Sequence, residues 1–453
     1  MGNFDSHMPL FLAIFSTATS GPSIRGINYG GRFIPEHWMN LTGMDILYGN
    51  ATTGCEITTP RLCVLSTCDI AATGPGAGQR MLNYLDASIR QSDFDKIARL
   101  GFNFVRLPLG YWQLIDMATA PNAPDHTANR WLALQKMLPA KAYRPYIERV
   151  LRYAKAAGLT VLLDLHGAPG GQSTNQCTGC ATSCEGDGCN SGLYYFFTEY
   201  NRKNAVAAVV ELAKICQAFA SSCYGVELLN EPAPTTPLGA SASSSPLGAS
   251  APSSGQRTLS LAATRRMVEE EALSDGRRND YGDRDFLLEY YAEAIHALRT
   301  EGGLDQSKPI VIMDWPTWLG TYWADHALGL NQSIPLPGAG ALEFETHIYS
   351  PVHASELWQL EAFASTMFDF VNAFTRATRI GTFVGEYALD NIFAPLQLED
   401  VARWYYAQTD GRHEWMRGLA IWNYDGPGTW GAVTPNGVTN ATIRDWWADL
   451  NRQ

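Results

Sequence analysis

"GVELLNEP" (residues 225–232) and "TFVGEY" (382–387) follow one plan: a run of strand-forming apolar residues stops at a glutamate, Glu231 in the first and Glu386 in the second. Proline follows Glu231, so the run cannot continue as a helix. Six further segments have the same strand-like character: "RGINYGG" (25–31), "FNFVRLPLG" (102–110), "TVLLDLHG" (160–167), "PIVIMDW" (309–315), "LEFETHIY" (342–349) and "LAIWNY" (419–424). Most are continuously apolar, as parallel strands covered on both faces are. Amphipathic stretches lie between them, among them "SDFDKIARLG", "YRPYIERVLRYAKAAG", "NAVAAVVELAKICQAFA", "RDFLLEYYAEAIHALRTEGG" and "LEDVARWYYAQTD". Helix stops such as "AAG" and "EGG" precede the next strand.

Eight β-then-α units close most economically into a (β/α)8 TIM barrel, an α/β fold. A doubly wound open sheet is the competing arrangement. The polar residues decide between them: Arg106, His166, Glu231, His347, Glu386 and Trp422 all fall at or just past the carboxyl end of a strand. A barrel gathers those ends on one face, where its catalytic loops meet, whereas an open sheet spreads them apart. We therefore expect one catalytic domain over residues 21–453, with long βα insertions near 35–90, 172–195 and 233–258. The last contains "PLGAS" twice and is Ser/Ala/Pro/Gly-rich, a composition that cannot bury enough apolar surface to order itself.

The 453 residues are 46% hydrophobic and carry a net charge of −12. That balance argues against a nucleic-acid partner, which needs clustered Lys and Arg, and suits a neutral substrate. No run of about 18 apolar residues is present, so no transmembrane helix is expected. Residues 1–20 include "MPLFLAIFSTATS", an apolar run before small residues that resembles a signal peptide without its basic leader. The opening Gly2 and Ser6 also fit a myristoylation pattern, which we rank lower for a cysteine-rich chain. Of the nine cysteines, Cys177, Cys180, Cys184 and Cys189 cluster. Zinc is one reading of that cluster, but it lacks two well-separated ligand pairs, and disulfides that staple a loop are the expectation. Sequons at Asn40, Asn50, Asn331 and Asn440 agree with a secreted or cell-wall location.

Glu231 and Glu386 close strands four and seven, and two carboxylates facing each other across a barrel mouth are what glycoside cleavage needs. Asn230, beside Glu231, can reach the hydroxyl next to the reacting carbon, which makes Glu231 the acid/base. Glu386 must stay ionised to attack, and Arg106 supplies a permanent cation for it. Tyr349 in "THIY" can donate to the same carboxylate. His347 and His166 can bind sugar hydroxyls, and Trp422 can form the floor under the reacting ring. Two histidines and two glutamates also admit a metal, but no tight ligand spacing supports one, and no metal or cofactor is expected.

The ordered series "RGINYGGRFIPEHWM", "GFNFVRLPLGYW", "VLLDLHGAPGGQ" and "LLNEP", with "THIY", "VGEY" and "IWNY" as looser matches, resembles glycoside hydrolase family 5 across nearly the whole chain. Within it the resemblance is to the fungal and oomycete exo-β-1,3-glucanases. That resemblance implies Glu231 as proton donor and Glu386 as nucleophile. It implies Arg106, His166, Asn230, His347, Tyr349 and Trp422 as the glucose-binding shell, with Glu36 in "PEHWM" binding the terminal glucose of a blind pocket. It further implies retaining hydrolysis of β-glucan, most simply exo-action on β-1,3-glucan by a monomer. Two departures bear on specificity. The loop after "HGAPGG" runs into the cysteine cluster, with Asn190 as the substitute for a sugar-contacting asparagine, and the Ser/Ala-rich insert follows Glu231 directly. An endo-cellulase, a disaccharide-releasing or glycolipid-cleaving enzyme, a transglycosylase and a carbohydrate-binding pseudoenzyme are the rival readings.

Overall fold

The structure is a computed structural model that describes residues 24–36, 39, 41, 43–48, 66–117, 133–172, 179–180, 196, 198–232, 281–313, 340–348, 380–387 and 416–425. Eight parallel strands close into a barrel in the order β1-β2-β3-β4-β5-β6-β7-β8. They are β1 (Ile24–Asn28), β2 (Phe104–Gly110), β3 (Thr160–Gly167), β4 (Cys223–Glu227), β5 (Ile310–Met313), β6 (Leu342–Ile348), β7 (Gly381–Tyr387) and β8 (Met416–Ile421). The seam is made by β1 and β8, where Ile24 pairs with Gly418 and Ile27 with Ile421. This is the (β/α)8 architecture that the strand-end pattern demands.

Strands that are covered on both faces bury nearly everything: all seven residues of β2 are buried, as are seven of the eight in β3. The outer cover comes from helices with one apolar stripe. In the helix Ala140–Ala156 the buried Tyr143, Ile147, Val150, Leu151 and Ala154 recur at helical spacing. Helices Gln91–Arg99, Glu199–Ala218 and Tyr281–Thr300 follow the corresponding amphipathic stretches. The stretch "LEDVARWYYAQTD" lies outside the described residues.

Inside the barrel, side chains stack in layers. Ile24, Phe104, Leu162, Val311 and Phe383 form an apolar layer at the amino-terminal end, with Tyr224 packed against it. Phe104 meets Tyr224 and Phe383 edge-on at 5.0 and 5.9 Å between ring centroids. The layers above it, toward the carboxyl ends of the strands, are polar.

Two expectations change. Strand β4 ends at Glu227 rather than running to residue 232. Beyond it Leu228 still donates to the Val311 carbonyl of β5 and Asn230 to the Leu165 carbonyl of β3, and the chain then turns at Glu231, whose φ of 38° lies near the left-handed region that residues with a Cβ seldom enter. Glu231 and Glu386 therefore do not occupy equivalent positions: Glu386 lies within β7, paired with His347 of β6. The insertion at 35–90 also carries structure of its own, in helices Met44–Tyr48, Thr67–Ala72 and Ala77–Ser88. Ser66 caps the second of these, exchanging hydrogen bonds with Asp69 in a capping box.

Cys68 of that insertion is disulfide-bonded to Cys180, 112 residues further on, so one member of the cysteine cluster fastens the loop after β3 to the loop after β1. Cys216 is bonded to Cys223 across the short turn between a helix and β4. The other cysteines, the four sequons, Asn190 and the insert at 233–258 lie outside the described residues.

Candidate active site

Arg106 organises the polar interior. It is fully buried on β2, where it replaces what would be an apolar side chain in the middle of the barrel. Its Nε and Nη2 donate to Glu227 Oε2 and Oε1, each at 2.7 Å, a bidentate pair. Nη1 donates to Glu386 Oε1 at 2.7 Å, and Nη2 also donates to Asn230 Oδ1 at 2.8 Å. One guanidinium thus sets the position of a carboxylate on β7 and an amide just past β4. Asn28 of β1 adds an acceptor 3.2 Å from Nη1, while its own Nδ2 donates to the carbonyls of Gly385 and Ile421.

Asn230 is oriented by that bond. With Oδ1 committed to Arg106, its Nδ2 faces away and has no protein partner among the described residues. A buried amide N–H without an acceptor is costly, so this donor is arranged for something that enters the site. Gln172 fixes the backbone beneath it: Nε2 donates to the carbonyls of His166 (2.7 Å) and Asn230 (2.8 Å), and Oε1 accepts from the Ala168 N–H at 3.0 Å. That one side chain ties the end of β3 to the end of β4.

Glu231 meets a different environment. His347 Nδ1 lies 2.8 Å from Glu231 Oε1, and the Glu231 N–H donates to the thioether of Met313 on β5. His347 Nδ1 is also 3.5 Å from Glu386 Oε2, so the imidazole stands between the two glutamates. One side-chain atom from each of Glu231, His347 and Glu386 lies within 4.8 Å of the others. Two carboxylates and an imidazole are donors a divalent cation can use, but a cation there would have to displace the 2.8 Å bond between His347 and Glu231. We read the trio as a hydrogen-bonded carboxyl pair.

Two carboxyl–imidazole pairs face each other across the barrel. On β3, Asp164 Oδ2 lies 2.7 Å from His166 Nδ1; on β6, Glu345 Oε1 lies 3.0 Å from His347 Nε2. Burial pushes both imidazoles down, His166 to about 4 and His347 to about 3, so both rings are neutral. Burial also raises Asp164 and Glu345 well above the carboxylate range, although Arg106 stands 3.0 Å from each. For Glu227 burial works in the same direction, but the bidentate guanidinium overrides it and holds the group below its ordinary value. The charged pair is therefore Arg106–Glu227, and the neighbouring Asp164 and Glu345 are carboxylic acids hydrogen-bonded to it. Their second oxygens, Asp164 Oδ1 and Glu345 Oε2, have no hydrogen-bond partner among the described residues.

Trp422 lies immediately past β8 and its ring runs nearly parallel to that of His166, 5.8 Å away between centroids. The Trp422–Asn423 peptide is cis. Gly30 backs the ring so closely that a Cβ there would lie 2.8 Å from Trp422 Cη2. Asn423 Oδ1 accepts from the Gly30 N–H at 2.8 Å, and Asp425 receives Arg32 Nη2 on both oxygens at 2.8 Å. The loop after β1 is thereby sewn to the loop after β8.

Of the residues singled out from the sequence, seven meet here: Arg106, His166, Asn230, Glu231, His347, Glu386 and Trp422. Glu36 is buried in the β1 loop that backs Trp422. Tyr349 lies outside the described residues. Sequence reasoning passed over Asn28, Asp164, Gln172, Glu227 and Glu345. The signal for two of them, Asp164 and Glu227, was present: a lone carboxylate in an otherwise apolar strand has nowhere to go but the interior, and needs a partner there.

Residues 73–424 match cellulase (glycosyl hydrolase family 5). A glucan 1,3-beta-glucosidase of Blumeria graminis is 31% identical over 211 residues, which is 46% of this chain and 41% of that protein. A probable glucan 1,3-beta-glucosidase A of Aspergillus niger is 31% identical over 150 residues, 33% of this chain and 29% of the relative. The matched segments thus span less than half the length of these relatives. Among solved structures, a rutinosidase from Aspergillus niger superposes with a TM-score of 0.57 at 16% identity, covering 95% of this chain and 98% of that one, a likeness of fold. The match from residue 73 to residue 424 takes in the whole ring of strand ends from Arg106 to Trp422, and the chain belongs to glycosyl hydrolase family 5.

Proposed function

We propose that the protein is a retaining β-glycosidase that cleaves β-glucan, releasing glucose one unit at a time from β-1,3-linked chains. The observation that carries this reading is the pair Glu231 and Glu386, whose carboxyl oxygens approach within 4.8 Å at the mouth of a closed barrel. That separation fits direct attack on the sugar, where an inverting enzyme keeps its carboxyls about 6.5–9.5 Å apart to admit a water.

Glu386, held by Arg106, attacks the anomeric carbon while Glu231 gives its proton to the departing glycosidic oxygen. The C–O bond breaks and a glycosyl ester forms on Glu386. Glu231, now a carboxylate, removes a proton from a water that attacks the same carbon and frees Glu386. Asn230 Nδ2 is the donor to the neighbouring sugar hydroxyl, a bond that strengthens as positive charge develops on the ring. His166 and Trp422 form the wall and floor of the sugar site, and Glu36 and Tyr349 complete it by family resemblance. Similarity to two glucan 1,3-beta-glucosidases supports the linkage. The two disulfides support an oxidising, extracellular location.

A product time course on a soluble β-1,3-glucan, with cellulose oligomers and a rutinoside alongside, tests the reading. Early β-glucose alone from the 1,3-glucan is expected. Mixed oligomers, or turnover only of another substrate, would overturn the specificity, and an α-anomer first product would overturn the mechanism. Glu386→Gln should lose turnover while folding normally. Glu231→Ala should retain attack on an activated aryl glucoside and regain rate with azide, which takes the place of the deprotonated water.

A further inference from the structure

His347 has a carboxyl group on each side: Glu231 Oε1 is 2.8 Å from Nδ1 and Glu345 Oε1 is 3.0 Å from Nε2. The ring is completely enclosed, and a neutral imidazole carries one N–H and one lone pair. The two contacts must therefore be of opposite kinds. Arg106 decides which is which. Its single Nε–H is donated to Glu227 Oε2, but Nε also lies 3.0 Å from the same Glu345 Oε1, and a fixed positive charge that close disfavours a proton on that oxygen. Oε1 is therefore the oxygen kept as an acceptor, while Oε2, which has no hydrogen-bond partner among the described residues, is the one free to bear a proton. Oε1 then accepts from His347 Nε2–H. Nδ1 is left with the lone pair, and its 2.8 Å contact is a hydrogen bond when Glu231 is the donor.

We propose that Glu345 is a positioning residue for the acid/base: by accepting from Nε2–H it holds His347 in the tautomer whose Nδ1 receives the proton of Glu231. This rests on the reading of Glu231 as acid/base given above. The resting enzyme thereby keeps its acid loaded. In the other tautomer Nδ1–H would donate to an ionised Glu231, and the site would have no proton to give. Once Glu231 has protonated the leaving oxygen, its new carboxylate faces a lone pair, an unfavourable contact that is relieved when Glu231 takes a proton from the incoming water. Among the described residues, the charged and titratable groups around His347 are Arg106 from β2, His166 from β3, Glu227 and Glu231 from β4 and its exit, Glu345 on its own strand and Glu386 from β7. Arg106 and Glu227 are paired to each other, and Glu345 is the carboxyl in hydrogen-bond contact with Nε2.

Nitrogen-15 NMR of histidine-labelled wild-type protein at mildly acidic pH reads the tautomer directly, with His347→Asn assigning the signal. A protonated Nε2 and an unprotonated Nδ1 are expected; the reverse would overturn the proposal. Glu345→Gln keeps an acceptor toward Nε2–H and should preserve the tautomer and the pH profile. Glu345→Met removes it and should move the alkaline limb of kcat/KM down by about one pH unit or more, as the donor loses its loaded form. An unchanged limb in a folded Met variant would also overturn the proposal. The tautomer is observable without turnover, so a failure of the glycosidase reading and a failure of this one are separate results.

Discussion

At the scale of single residues, Asp164, Glu227 and Glu345, three of the four buried acids around Arg106, look alike in sequence and differ in state. Glu227 is the ionised partner, so Glu227→Gln removes the negative charge and leaves a guanidinium buried without its bidentate mate. We expect a loss of about 3 kcal/mol or more in denaturant unfolding, because breaking one half of a buried pair strands the other. A fall of kcat/KM by about 100-fold should accompany it, since Arg106 also positions Glu386. Asp164→Asn replaces a carboxylic acid by its neutral isostere and should cost far less on both measures; equal costs would contradict the assignment. His166, His347 and Trp422 were legible because each is a polar or aromatic residue at a strand end; Arg106, expected at a carboxyl end, instead lies two residues from the start of β2 and stood out only by its charge in an apolar run. Asp164, Glu227 and Glu345 were not, because a charge in the middle of a strand is ordinarily read as facing water. In a closed barrel the inner face meets none, and a carboxylate two residues before a histidine on both β3 and β6 was the pattern to notice. Glu36 came from family resemblance alone, as nothing local distinguishes it from a loop charge.

At the scale of the element, β7 shows how closely a strand must fit its neighbours. A Cβ on Gly385 would lie 1.5 Å from Glu345 Oε1, so the strand carrying Glu386 runs against the β6 carboxyl with no room for a methyl group. Gly385→Ala should lower stability by about 1–3 kcal/mol, the usual range for overpacking, and should impair turnover beyond that by displacing both Glu345 and Glu386. Thermal melting and steady-state kinetics on one preparation separate the two effects. Strand existence was readable throughout, since eight apolar runs alternating with helical patterns suit buried parallel strands and little else. The end of β4 was not, because Leu228 and Leu229 continue the apolar run past the last strand residue, and Leu228 still donates to Val311 of β5. Two of the 35–90 helices were missed for a related reason: five- and six-residue helices carry too little periodicity to register, even where Ser66 and Asp69 provide a cap, whereas the twelve-residue Ala77–Ser88 was long enough to read and was passed over. The pairing of Cys68 with Cys180 joins two insertions that spacing cannot relate.

At the scale of the whole molecule, buried groups give stability a particular dependence on pH. Unfolded histidines bind a proton near pH 6.5, whereas His166 and His347 stay neutral in the fold to about 4 and about 3. Their contribution is present above about pH 6.5 and is lost as pH falls toward those values. Asp164 and Glu345 act in the opposite sense: raised in the fold, they contribute below about pH 4, and that contribution is lost as pH rises toward their native values. Between about pH 4.5 and 6.5 the two proton excesses offset each other, so Tm should be flat there and fall on either side. The alkaline fall should weaken in an Asp164→Asn, Glu345→Gln double variant; thermal melts from acid to alkaline buffers check this.

The seam of the barrel has a consequence for biosynthesis. Asn28, which supports Arg106, donates to the carbonyl of Ile421, 393 positions away, and β1 has β8 as its second neighbour. Until residues 416–421 have left the ribosome, the sheet is an open fan, Trp422 does not yet exist, and the amino-terminal strand has one exposed edge. Contacts of such sequence separation form slowly. The ring of strand ends around Arg106 is therefore complete only once β8 has been made.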